Sequence, residues 1–327
     1  MRSDHETSLF WYRMLFAQGY GPRTLFKIIQ ESEKLGYTVS DLCSLGKEEF
    51  SRLLSSIDKR PNLATFENFK KACEINPDSF QKLSNRGIKI VHPGHTFYPE
   101  NLKQMQKAYV LSCYGDLNIL KEPGIAIVGA RNCAKTALEL TARIVHELAR
   151  NGVKNIISGL ARGVDTKAHI SAMEAGIYTT AVLSSGIQHF LNNHSIPFNT
   201  DKALVVSQFQ PDQRWHRRNA MMRNELVCAL AEAVIVVESG PRKDASGKQS
   251  GTFAAAETAL RLSRPVYVVH PSFFEAPPRG NVELLKVKGI QVIIGDISQA
   301  IKNLVTSLKA EEGDDAPDQL KLPFQIH

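Results

Sequence analysis

Glycines and basic side chains gather at four places along the chain, and each grouping suits a phosphate. The densest reads Ser158-Gly159-Leu160-Ala161-Arg162-Gly163-Val164-Asp165-Thr166-Lys167-Ala168-His169. Glycine lets backbone amides approach a ligand closely. Ser158 offers a hydroxyl donor and Arg162 a fixed positive charge. Asp165 suits the cap of the following helix, and His169 lies one turn later on the same face. Both are read as loop organisers. A second grouping is Gly129-Ala130-Arg131-Asn132, where a glycine closes an apolar run and Arg131 precedes a helix whose free amides suit an anion. A third, Arg214-Trp215-His216-Arg217-Arg218-Asn219-Ala220-Met221-Met222-Arg223-Asn224-Glu225, pairs four arginines with a tryptophan. Such a stretch supplies charge for phosphates and a ring, Trp215, on which a base stacks. An amphipathic helix with Trp215 and the methionines in the core is the alternative. The fourth runs from Ser239 to Thr252, with Lys248 and a Gly251-Thr252 helix start. It is not a P-loop, because Arg242 replaces a required glycine and Gln249 follows Lys248.

Other chemistries find little support. The Gly129 loop lacks the G-x-G-x-x-G dinucleotide fingerprint. The ten histidines form no H-E-x-x-H, and His189 and His194 have no carboxylate pair beside them. No G-x-S-x-G elbow occurs. Neither a metal nor a cofactor is expected, and no catalytic residue is assigned.

These loops need strands and helices to hold them. Apolar runs at Ile125–Val128, Asn155–Ile157, Thr179–Leu183, Ala203–Val206, Val234–Val237, Val266–Val269 and Ile290–Ile294 alternate with helical stretches such as Lys135–Asn151 and Asp165–Ala175. The alternation predicts an α/β fold, a Rossmann-like parallel sheet with helices on both faces. Ligands of such sheets bind beyond the carboxyl ends of the strands. The first 84 residues show apolar spacing of helical period (Leu25, Ile28, Ile29; Phe50, Leu53, Leu54, Ile57), which predicts a small all-α domain. Its Gln18-Gly19-Tyr20-Gly21-Pro22 turn reads either as an ordinary helical turn or as a helix-hairpin-helix, SAM-like element whose hairpin amides hold a phosphate. The expected division is 1–84 helical, 85–305 Rossmann-like and 306–327 an acidic flexible tail, EEGDDAPD being its densest part.

Composition agrees with a polyanionic partner. Lys and Arg number 40 against 33 Asp and Glu, a net charge of +7. The five cysteines are widely spaced and include no C-x-x-C, so no disulfide framework or zinc site is expected. With no signal peptide and no long apolar run, a reducing cytoplasm is the expected location.

In order along the chain, these segments resemble the DNA-processing protein A (DprA/Smf) family. The matching pieces are F-Y-P-E-N-L (97–102), I-A-I-V-G-A-R (125–131), S-G-L-A-R-G-V-D-T-K-A-H (158–169), A-V-L-S-S-G-I (181–187), R-N-E (223–225), A-V-I-V-V-E (233–238), S-G-T (250–252) and R-G-N-V-E-L-L (279–285). The resemblance implies a Rossmann-like homodimer that binds single-stranded DNA and loads a RecA-type recombinase during natural transformation. Carried onto this chain, it implies a phosphate pocket of Gly129, Arg131, Ser158, Gly159, Arg162, Gly163 and Thr252, to which the loops add Arg218, Arg223, Lys248 and Gly251. The chain departs from the family pattern in several places. Ala130 stands in G-S-R, and Glu225 stands in R-N-R, a charge reversal expected to weaken or re-aim strand binding. Residues 241–249 look inserted, and the winged-helix module of many members is expected to be absent. Divergent relatives serve in phage-defence and toxin–antitoxin modules, so a toxin or defence partner is an alternative to the recombinase. Two further readings are a nucleotide-signal sensor or antitoxin-like protein using the same pocket, and a nucleotide phosphoribohydrolase. The hydrolase would need a glutamate where Ala255 stands. Glu257 comes two residues late, about 200° round the helix.

Overall fold

β-branched residues line up where fully buried strands would need them, and in the computed structural model they pair into one sheet. The structure describes residues 2–55, 65–194, 201–247 and 249–314. Five helices come first: α1 (Arg2–Met14), α2 (Pro22–Lys34), α3 (Lys47–Ser55), α4 (Phe66–Cys73) and α5 (Pro77–Asn85). The strands are β1 (Lys89–Val91), β2 (Leu111–Gly115), β3 (Gly124–Val128), β4 (Asn155–Ser158), β5 (Tyr178–Val182), β6 (Ala203–Ser207), β7 (Ala233–Val236), β8 (Val266–Val269) and β9 (Ile290–Ile293). Helices α6 (Glu100–Lys103), α7 (Lys135–Arg150), α8 (Val164–Glu174), α9 (Ile187–Asn193), α10 (Arg217–Leu230), α11 (Gly251–Arg261), α12 (Arg279–Leu284) and α13 (Ile297–Asp314) connect or follow them.

The nine strands of the described residues run in the order β1-β2-β6-β5-β4-β3-β7-β8-β9. From β6 to β9 every pairing is parallel, and β1 and β2 add an antiparallel edge. The pleat of β3 sorts its side chains. Ile125 and Ile127 enter a core with α7, α8 and α13, while Ala126 and Val128 enter one with α10 and α11. Chain order reverses between β3 and β7, which makes that junction the switch point of the sheet.

The N-terminal helices build an aromatic cluster from Trp11, Phe50 and Phe69, among others, and share it with Ile88, Ile90, Val110 and Val205 of the sheet region. Gly19 turns the chain between α1 and α2 at φ +89°, a conformation open to glycine, and Pro22 starts α2.

Two expectations need correction. Cys43 and Cys73 form a disulfide across 30 residues, with Cα atoms 5.6 Å apart. Packing of α2–α4 brings together residues whose spacing carries no signal. The last helix also continues through Asp314, past the expected boundary at 305, its apolar face set against α7. No helix among the described residues is long and apolar enough to cross a membrane.

Candidate nucleic-acid interface

Four loops meet beyond the carboxyl ends of β3, β4, β5 and β7. Backbone bonds fasten them to one another. The Ala130 amide donates to the Glu238 carbonyl, the Val164 amide to the Ala130 carbonyl, and the Ala134 amide to the Glu238 carboxylate at 2.8 Å. Asn281 braces the far side, donating from Nδ2 to the carbonyls of Val237 and Val269 and accepting from the Ser239 amide.

Two clefts open on this surface. One, of about 410 Å³, lies between the β3 and β7 loops and α10, with Gly251 and Thr252 at the start of α11 on its rim. The other, of about 420 Å³, lies over the β4 and β5 loops and includes Gly159, Arg162, Ser185 and His189. Arg131, Ala161, Trp215 and Arg223 line both, so the two clefts adjoin on one face, and together they make up the groove. Trp215 is 52% exposed, and the Arg131 guanidinium lies over its ring at 5.9 Å. This excludes the core alternative for Trp215 and sets a cation and a stacking ring side by side. Arg162 is exposed and donates to Asn132 at 2.5 Å, which tethers it to the neighbouring loop.

Several predicted phosphate ligands make contacts within the protein. Ser158 is buried, and its hydroxyl donates to the Ile127 carbonyl at 2.6 Å, tying β4 to β3. Arg223 is 5% exposed and lies 3.5 Å from Asp165. Burial works against both charges: it lifts the Asp165 carboxyl and depresses the Arg223 guanidinium, and each partner opposes the shift of the other. Arg223 is thus a floor beneath the groove. Gly159 makes room for it, because a Cβ there would fall 0.9 Å from its Nη1. Gly129 packs under Val164, and Gly163 sits at φ +86° against the Ala130 carbonyl. These glycines allow loop to meet loop.

Asp165 does organise its loop, accepting from the Ala161 amide at 3.3 Å, but Gly163 is the helix cap. His169 is fully buried and bonds Thr179 of β5 through Nδ1 at 2.6 Å, which locks α8 to the sheet. Arg218 lines a different cavity on the opposite side of the α10 start. Lys248 lies outside the described residues. Glu225, expected to repel a strand, is engaged elsewhere: it accepts from Lys107 and from the Tyr109 hydroxyl. Burial alone would raise its carboxyl, but the Lys107 and Tyr109 bonds hold it below the ordinary range. Three residues quoted within the sequence groupings but not singled out as ligands take part here. Asn132 anchors Arg162, Asn224 donates to the Gly251 carbonyl at 3.0 Å, and Arg217 lines the first cleft.

The class is an α/β protein with a Rossmann-like sheet whose loops carry a basic, aromatic-bearing groove beyond the switch point. The profile of DNA recombination-mediator protein A matches residues 89–304, and the chain belongs to that family. It is 31% identical to DNA processing protein DprA of Streptococcus pneumoniae over 193 residues, which cover 58% of this chain and 65% of the relative. A DprA from Bacillus subtilis is 30% identical over 210 residues, 62% of this chain and 67% of the relative. The X-ray structure of the pneumococcal DprA superposes with a TM-score of 0.70 at 22% identity, over 89% of this chain and 95% of that one. DNA processing protein A of Helicobacter pylori, solved for its single-stranded DNA binding mode, matches at TM-score 0.52 and 25% identity, over 68% of this chain and 96% of that one. The match thus spans just under two thirds of the pneumococcal relative.

Proposed function

We propose that the chain binds single-stranded DNA along this groove and acts in DNA processing and recombination without catalysing a reaction. The observation that carries the reading is that two adjoining clefts share Arg131 and Trp215 in their walls. A strand laid there would meet Arg131, Arg162 and Arg217 with its phosphates, Trp215 with a base, and the α11 start with a further phosphate. Family membership and the Helicobacter pylori structure support it.

The carboxylates around the groove favour binding over hydrolysis. Asp165 faces Arg223, Glu225 is held by Lys107, and Glu257 pairs with Arg242. We further propose a homodimer that hands its strand to a RecA-type recombinase in the cytoplasm, where Cys43 and Cys73 would be reduced.

Fluorescence anisotropy tests the central claim. Oligo-dT should bind more tightly than duplex. Arg131→Ala should weaken it about tenfold and flatten the log–log salt slope by about 0.7, the loss of one phosphate contact. Trp215→Ala should cost roughly 1–3 kcal/mol. Equal affinity for duplex, with both variants unchanged, would overturn the reading.

A further inference from the structure

Helix α9 and its cap bring three rings, His189, Phe190 and His194, to the second cleft, where they share the walls with Arg131, Arg162 and Trp215. Among the described residues no cluster of side chains could hold a metal ion, so the two histidines have no such role to explain them. The ring of His194 is stacked on that of Phe190, with centroids 5.2 Å apart and planes 27° from parallel. Phe190 is 8% exposed and belongs to the apolar cluster that the helical region shares with the sheet, so it is a fixed backing. His194 itself is exposed. With one face against Phe190, it is the opposite face that a planar ligand can cover.

The attachment of α9 supplies the second observation. The Gly186 amide donates to the Gln213 carbonyl at 2.7 Å, and the His189 amide to the Pro211 carbonyl at 2.9 Å. A Cβ on residue 186 would fall 2.0 Å from the Gln210 carbonyl oxygen, so glycine is what lets the two segments meet. Residues 210–213 run directly into Trp215. The His194–Phe190 pair and Trp215 are thus tied together by bonds already made before any ligand arrives, which keeps the cost of ordering them low.

A single strand needs charge for its backbone and flat surfaces for its bases. Arg131 and Arg162 supply the charge, Trp215 supplies one surface, and the His194–Phe190 pair supplies another. The cleft volume of about 420 Å³ is within the range that takes small planar ligands. We propose that His194, backed by Phe190, is a second base-stacking platform of the groove. It receives a base of the strand whose phosphates meet Arg131 and Arg162. This platform presupposes the single-stranded DNA reading and gives it a second fixed base. Stacking uses the face that every base has, so the platform accepts any of them.

The test uses the full chain with oligo-dT and an abasic strand of equal length, each followed by fluorescence anisotropy. His194→Ala should weaken oligo-dT binding about tenfold, the loss of one stacked base, and bind the abasic strand as the wild type does. His194→Phe keeps a ring and should hold oligo-dT like the wild type. Arg131→Ala should weaken both strands. If His194→Ala binds oligo-dT like the wild type, no base rests on the ring and the proposal fails. It fails too if His194→Ala weakens both strands alike, or if His194→Phe is as weak as His194→Ala, since the side chain then acts by something other than stacking. In each of these cases a weakened Arg131→Ala leaves the groove reading standing. A wild-type chain that holds duplex and oligo-dT equally, with Arg131→Ala unchanged, removes both. The substitutions fall at an exposed position, and thermal melting should show each variant as stable as the wild type.

Discussion

At the scale of residues, the groove rests on a buried ion pair. Arg223 and Asp165 are both buried, and each offsets the desolvation of the other. Removing one leaves the other uncompensated, so Arg223→Met should destabilise by about 3–5 kcal/mol. Replacing both with apolar groups should cost less than either single change. Gly159→Ala should resemble Arg223→Met, since its Cβ would occupy the guanidinium site. Chemical denaturation of the three variants checks this; a Gly159→Ala protein as stable as the wild type would contradict the role given to Arg223. Such a site is hard to read from sequence. Arg131, Arg162 and Arg223 look alike in a string of letters, and only packing shows that the third is internal. Ser158 misled for the same reason: its motif position was right, but its hydroxyl points back into the sheet.

At the scale of elements, sequence pattern served well wherever burial repeats. The seven apolar runs became β3 to β9 with shifts of at most one residue; β3 to β8 are almost wholly buried, and strands buried on both faces admit little else. The short antiparallel strands β1 and β2 fall outside the seven runs. His169 shows how an element is fastened. Burial pushes it down to about 3, far below an exposed imidazole, and His92 behaves likewise. The unfolded chain therefore binds more protons between about pH 3 and 6.5, so stability is full above that window and falls with pH inside it. Lowering pH from 7 to 5 should cost up to about 2 kcal/mol per histidine. Thermal unfolding as a function of pH measures this, and His169→Gln should flatten the profile. A profile unchanged by that substitution would mean that α8 is not held in this way.

At the scale of the whole molecule, the helical region and the sheet share a core, so events in one reach the other. The Cys43–Cys73 bond closes a 30-residue loop in the helical region and should contribute about 3–4 kcal/mol when formed. Reduction, or Cys73→Ser, should lower the melting temperature while leaving oligo-dT affinity intact, because the groove lies on the sheet. Melting with and without dithiothreitol, beside anisotropy, separates the two effects. Loss of DNA binding on reduction would show that the helical region helps form the groove.

The pairing of β3 with β7 has a kinetic meaning as well. Ile125 sits beside Ala233, about a hundred residues further along the chain. Closing so long a loop is slow compared with forming β3 against β4. The two halves of the sheet can each condense early, but the cleft between the β3 and β7 loops exists only after they dock. A strand bound across the β3 and β7 loops would therefore hold together two halves that are distant in the chain and slow their separation.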